Sequence, residues 1–346
     1  MRGVVVPEPG KMALVDLPEP TYNEYEALVE ILTCSICSGT DTHIVDDHFP
    51  MRAYPCVLGH ESIGRVIEVG SAVRNLKPGD LVLRPTAVRP GETLGGYNSM
   101  FGSFVEYGIV ADAAAIIADT PRNQAPKLPV FALAQQVTPP EFDPDLAGAF
   151  ITFKETLSFL QRLGVQAGRS ALILGSGTVG LSFALGAKLI GATPVIVTGR
   201  RSEALATAQA FGADQVINVT NENLVEAVKR YTNGQGVDFA VEAVGDWAVL
   251  QAGIRTLADN GQIGIYGVAP ERVATMDWSG TARNWSLRFV QPKEEQVHQQ
   301  VLDQMRLGMI DLHKFVTHRV PFAEIQEGFD LVRNKQATKV VVKIAR

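Results

Sequence analysis

The chain has 346 residues, enough for two domains, and its 46% hydrophobic and 20% charged content is that of an ordinary globular protein. A net charge of −6 argues against nucleic acid or an anionic membrane surface as a partner, and three cysteines give no disulfide framework. No basic-then-apolar leader opens the chain and no run of about 18 apolar residues occurs, so a cytoplasmic protein with no membrane partner is expected.

In chain order, Met1–Val6, Met12–Val15 and Ala27–Leu32 read as short strands separated by proline-rich turns. Gly64–Val69 and Asp80–Leu83 continue the pattern around the Lys77-Pro-Gly-Asp80 turn. This first portion is mostly β. Thr120–Pro144, rich in proline and apolar residues, reads as a loop or crossover. From Leu146 the period becomes helical. Val195–Thr198, Val216–Ile217, Phe239–Glu242 and Gln262–Tyr266 then read as buried strands, with Ser202–Phe211, Glu222–Tyr231 and Trp247–Leu257 as helices between them. That alternation predicts a doubly wound parallel sheet. Glu294–Leu307 and Phe322–Arg333 as helices and Thr338–Ile344 as a strand fall outside it, and are expected to return to the first domain.

The sheet is expected to start at Ala171-Leu-Ile-Leu174, which runs into Gly175-Ser176-Gly177-Thr178-Val179-Gly180. This is the Gly-x-Gly-x-x-Gly spacing of a dinucleotide-binding turn, followed by a helix over Leu181–Ile190 and a second strand over Pro194–Thr198. Glycines allow the tight turn, the close approach of backbone to a pyrophosphate, and the packing of helix on strand. The phosphates sit at the helix N-terminus. After the second strand an NAD site usually carries an acid on the ribose hydroxyls. Here Thr198-Gly199-Arg200-Arg201 offers two guanidiniums instead. Charge-assisted bonds from arginine to a 2′-phosphate are worth about 1.5–3 kcal/mol each, which favours NADP(H) over NAD(H).

A second cluster lies between residues 34 and 61. Cys37 precedes Thr40, Asp41 and His43, and Gly59-His60-Glu61 follows. Thiolate, imidazole and carboxylate suit zinc, although a small buried cysteine and a satisfied histidine are the commoner fates of such residues.

With these motifs the chain resembles the zinc-containing medium-chain alcohol and polyol dehydrogenases over nearly its whole length. The supporting segments include the Cys37–His43 loop, Gly59-His60-Glu61-x-x-Gly64, Leu76-Lys-Pro-Gly-Asp80, Gly102-Ser-Phe-Val-Glu-Tyr107, Gly175–Gly180, Val237-Asp238 with Glu242-Ala-Val-Gly245, and Gly261–Gly267. The resemblance implies an α/β fold: a Rossmann doubly wound parallel sheet plus a β-rich, GroES-like catalytic domain built from both chain ends. Residues 1–147 and 288–346 would form the catalytic domain and 148–287 the NADP-binding domain.

The resemblance also implies roles. Cys37 and His60 would be zinc ligands, and Glu61 a ligand or a nearby carboxylate that exchanges with water. Asp41 would orient His60, and Thr40 and His43 would relay a proton from the substrate hydroxyl to solvent. Val244, Gly267 and Val268 would join the turn and the Arg200-Arg201 pair in holding NADP(H). The activity implied is hydride transfer between NADP(H) and a secondary alcohol or polyol, or the matching carbonyl, with zinc as Lewis acid. A homodimer or homotetramer is implied as well, joined through sheet edges, with Gln262–Val268 as a candidate edge.

Three departures bear on this. Cys37-Ser-Gly-Thr40 holds one residue more than the family's Cys-Gly-[Ser/Thr]-Asp loop, with Cys34 a less favoured substitute and Cys56 assigned to the core. The place of the family's third ligand falls on Ile151 or Thr152, and Glu155, one turn on, is the candidate replacement. Arg84–Ser103 has no cysteine, so one catalytic zinc and no structural zinc is expected. Two alternatives stay open: a zinc-free NADPH-dependent alkene or quinone reductase, and a non-catalytic NADPH-binding protein.

Overall fold

The computed structural model describes residues 1–49, 53–271 and 273–345. The chain divides into two units, Met1–Ile151 with Leu302–Arg346, and Thr152–Val301.

In the first unit the Glu26–Ser35 strand is the hub of a seven-stranded sheet. Its alternation buries Ala27, Val29, Ile31 and Thr33, the period-two signature of a pleated strand. Along one edge it pairs with Glu61–Val69, and along the other with Tyr107–Ala111 and Lys339–Lys343, all antiparallel. Ser35 is thereby set opposite both Glu61 and Val341. Lys339, two residues before Val341, shares that residue's face. The core explains why the chain end returns: Val4, Val5 and Phe104 pack in one cluster with Phe329, Val340 and Val342. Phe104 and Phe329 meet edge to face at 6.2 Å, and full burial of such a side chain contributes about 1.5–3 kcal/mol.

The second unit is a six-stranded parallel sheet. Its spatial order is Gln215–Asn218, Val195–Gly199, Ala171–Leu174, Val237–Glu242, Leu257–Ile265 and Ser286–Phe289, each pair parallel. Numbered along the chain this is 3-2-1-4-5-6, a doubly wound order, in keeping with the doubly wound parallel sheet expected from the sequence. Leu172, Leu174, Ile196, Ala240 and Ile263 form the buried seam against Leu250 and Ile254 of the Trp247–Ile254 helix.

Several elements differ from their sequence expectations. Gln262–Val268 is not a sheet edge, because the Leu257–Ile265 strand is paired on both sides and Ser286–Phe289 takes the edge. Ser286-Leu-Arg-Phe289 lacks the apolar run of an inner strand, and its last two residues are exposed. The Thr40–Val45 helix occupies a stretch that reads as loop, and a second helix, Ala113–Asp119, forms where no helix was expected. The expected helices at Glu294–Leu307 and Phe322–Arg333 each begin as a 3-10 turn before the α-helices His298–Arg306 and Ile325–Arg333.

Candidate functional site

Cys37 leaves the hub strand through a turn whose extra residue is taken up before the Thr40–Val45 helix. The Cys37 N–H donates to Asp41 Oδ2 at 2.9 Å, the Asp41 N–H returns to the Cys37 carbonyl at 3.1 Å, and the Thr40 N–H points to Cys37 Sγ at 3.5 Å. Asp41 is fully buried. Its Oδ1 lies 3.3 Å from Nδ1 of His60. One carboxylate thus anchors the cysteine turn with one oxygen and stands beside the histidine ring with the other.

Among the described residues one group of potential metal ligands stands together: Cys37, His60 and Glu61, with donor atoms within 4.8 Å of one another. Zinc holds S, N and O donors at about 2.0–2.3 Å in a tetrahedron, so this set needs to close by only about an ångström. Burial alone would push the His60 imidazole down, but Asp41 and then Cys37 outweigh it and hold it well above the ordinary histidine range. A proton and a metal cation compete for the His60 imidazole, so a bound metal would displace that proton. The residues fit zinc in donor chemistry.

Glu61 carries a partner that the sequence did not suggest. Lys339 Nζ donates to its two carboxylate oxygens at 2.9 and 2.7 Å, and both side chains are buried. A lysine heading the apolar run Val340-Val-Val342 was the signal available. Its partner, 278 residues away, was not readable.

Thr40 begins the short helix and His43 sits in its last turn. His43 Nδ1 is buried with no hydrogen-bond partner among the described residues. The ring of His48 stands edge to face with that of His43, centroids 6.2 Å apart. Burial first, then the charges of His48 and Lys335, hold His43 below the usual histidine range, against the opposing pull of Asp46.

His60 is also backed by residues that sequence reasoning passed over. Its ring meets Phe101 at 5.1 Å, Phe101 meets Phe131 at 5.5 Å, and the Arg84 guanidinium lies 4.7 Å over Phe131. Arg84 also donates to the His60 carbonyl at 3.0 Å.

In the second unit, Gly175 has φ +123, in the region that favours glycine. A Cβ on Gly180 would stand 2.0 Å from the Gly175 carbonyl oxygen, so the helix can follow the strand this closely only through glycine. Gly177 is the N-cap of the Thr178–Ile190 helix. Ser176 packs on Gly199, where an added Cβ would come within 2.4 Å of the serine hydroxyl. Thr198 is buried at the end of its strand, and Arg200 and Arg201 are exposed beyond it.

The strand ends also gather Val244, Gly267 and Val268. A Cβ on Gly175 would come within 2.9 Å of the Val244 side chain, and one on Gly245 within 2.4 Å of the Val268 carbonyl oxygen. Buried Glu242 accepts the N–H groups of Val244 and Gly245 at 2.8 and 2.9 Å, and Gly267 N–H donates to its carbonyl at 3.0 Å. Burial raises the Glu242 carboxyl above its ordinary pKa. A cavity of about 330 Å³ beside it is lined by Glu242, Trp247, Tyr266, Gly267, Val268 and Phe289, among others. Glu155 is carried by this unit, and its Oε2 accepts from the Tyr266 hydroxyl at 3.2 Å.

Two family models match the chain: the alcohol dehydrogenase GroES-like domain over residues 23–121 and the zinc-binding dehydrogenase over residues 178–290. The chain is 28% identical over 335 residues to an L-threonine 3-dehydrogenase of Bacillus velezensis, covering 95% of this chain and 94% of that protein. Among solved structures, the alcohol dehydrogenase TADH from Thermus sp. ATN1 matches with TM-score 0.82 at 26% identity over 99% of each chain. A zinc-binding dehydrogenase from Sinorhizobium meliloti 1021 bound to NADP matches with TM-score 0.77 at 25% identity, over 99% of this chain and 98% of that one.

Proposed function

Because the chain belongs to the zinc-containing medium-chain alcohol dehydrogenase family, a family of oxidoreductases, we propose that it transfers hydride between NADP(H) and a secondary alcohol or polyol, or the matching carbonyl. The observation that carries this reading is the meeting of Cys37, His60 and Glu61 in one unit, on a chain whose other unit holds the Gly175–Gly180 turn.

Cys37, His60 and Glu61 would hold zinc. When bound, zinc supplies Lewis acidity at the substrate oxygen and lowers the pKa of an alcohol there. Asp41 keeps the His60 tautomer with Nδ1 turned inward and steadies the Cys37 turn, which orients both donors. Thr40 would accept the alcohol proton at its hydroxyl oxygen as it passes its own hydroxyl proton on, and the His43 ring, whose pKa its surroundings hold down, would receive the relayed proton on the way to solvent. The N-terminus of the Thr178–Ile190 helix receives the pyrophosphate, and Val244, Gly267 and Val268 line the cofactor's place at the strand ends. Arg200 and Arg201 supply the positive charge for a 2′-phosphate. The same reading carries a homodimer or homotetramer.

Initial rates on a panel of secondary alcohols and polyols, followed by the absorbance of the reduced nicotinamide, test the proposal. Turnover should be faster with NADP⁺ than with NAD⁺, by about a hundredfold in kcat/KM if both arginines engage the phosphate. Reduction of activated alkenes or quinones by NADPH, with no alcohol oxidised, would replace it with the zinc-free reductase reading.

A further inference from the structure

Eight non-glycine residues have positive φ among the described residues: Asp47, Arg84, Phe101, Phe131, Asn233, Asn260, Asn284 and Lys335. Four of these are asparagine or aspartate, whose short polar side chains tolerate that region. Of the other four, three are Arg84 (φ 57), Phe101 (φ 76) and Phe131 (φ 66), and these three are the residues stacked in sequence on His60. Large side chains held where the backbone disfavours them persist only when their surroundings over-determine them, and such positions cluster at functional sites.

The stack is held from several sides. Arg84 donates to the His60 carbonyl at 3.0 Å, the Gln135 side chain donates to the Arg84 carbonyl at 3.0 Å, and Gln135 Oε1 accepts the Ala111 N–H at 2.8 Å. Yet its rings are not sealed in the core. His60, Phe101 and Phe131 are each partly exposed, and Val130 and Leu133 beside Phe131 are 50% and 43% exposed. Asp41, on the Nδ1 side of His60, is by contrast fully buried. A residue needed only for the turn at 101 would be glycine, as Gly102 beside it already is at φ 76. The phenyl ring is what this position retains.

Resting on the reading of Cys37, His60 and Glu61 as a zinc centre for alcohols, we propose that Phe101 is a specificity-determining residue. With Phe131 it forms an aromatic wall beside His60 that selects substrates bearing a flat apolar substituent on the carbinol carbon. Arg84 is a positioning residue that fixes the wall through Phe131. A phenyl substituent gains offset or edge-to-face contact with these rings. Each hydroxyl of a polyol placed against them loses water partners and gains none.

The test measures binding without turnover. Acetophenone and 2-butanone are titrated calorimetrically into zinc-loaded protein saturated with NADP⁺, both partners being in the oxidised state. The wild type is expected to bind acetophenone about tenfold more tightly than 2-butanone. Phe101→Ala and Phe101→Gly should each bring that ratio down to about twofold or less, with Phe101→Gly losing less thermal stability than Phe101→Ala because glycine suits the positive φ. A wild type without the preference, or variants that keep it, would overturn the wall while leaving the zinc centre standing. Failure of the wild type both to retain zinc and to bind either ketone would overturn the zinc-centre reading and the wall with it.

Discussion

The ε-ammonium of Lys339, near the C-terminus, donates to both carboxylate oxygens of Glu61 at 2.9 and 2.7 Å, and both side chains are buried. Glu61 is also one of the three grouped potential metal ligands, so a fixed cation and a bound one compete for the same carboxylate. Lys339→Met should weaken the metal-free fold by about 3–5 kcal/mol, the usual cost of leaving one partner of a buried pair uncompensated. It should also tighten zinc binding, by removing both a competitor and a repelling charge. Urea unfolding with and without zinc reads both effects. A variant that binds zinc more weakly than the wild type would contradict the competition.

Asp41 has no contact to make with substrate in this account, yet it holds both Cys37 and His60. Asp41→Asn keeps its size and loses its charge. Zinc affinity, measured by competition with a chromogenic chelator, is expected to fall about 10–100-fold. An unchanged affinity would remove Asp41 from the centre.

Arg200 and Arg201 follow a strand end with no acid among residues 198–202. Replacing both with alanine should weaken NADPH about a hundredfold or more, at about 1.5–3 kcal/mol for each charge-assisted bond, and NADH by far less. Fluorescence titration of both nucleotides decides this, and equal losses would refute the phosphate assignment.

His43 is held below the ordinary histidine pKa by burial, then by His48 and Lys335, with Asp46 opposing. A depressed histidine leaves the unfolded chain binding more protons between the two pKa values. Its contribution to stability is therefore complete above about 6.5, the unfolded value, and is lost as the pH falls below it. His48→Gln removes one lowering charge, so the acid limb of the kcat/KM profile should move to higher pH. An acid limb that stays in place or moves down would show that His43 does not report there, or that His48 does not act on it.

What could be read from the sequence was what local sterics and donor chemistry write into neighbouring residues. Gly175 and Gly180 are glycine because one turn requires it, so the Rossmann unit with its doubly wound parallel sheet was legible. Cys37, His60 and Glu61 stood out as a zinc-type donor set, and the structure brings them together despite the extra residue after Cys37. The Thr40–Val45 helix was not legible. It has six residues and no room for a helical period, and it is held by the Asp41 contacts and by packing of Ile44 and Val45. Lys339 was missed because its partner is set by pairing across the Glu26–Ser35 hub. Arg84, Phe101 and Phe131 were missed because a positive φ leaves no mark when the residue is not glycine. Ser286–Phe289 was missed because an edge strand does not need a continuous apolar run.

The central claim is that Cys37, His60 and Glu61 hold a catalytic zinc, and the most direct measurement is zinc per chain by elemental analysis on protein purified without added metal. About one zinc per chain is expected for the wild type, set by the one group of donors among the described residues, and close to none for Cys37→Ser, with alcohol oxidation lost in parallel. Near-zero zinc in a wild type that still binds NADPH tightly would contradict the account.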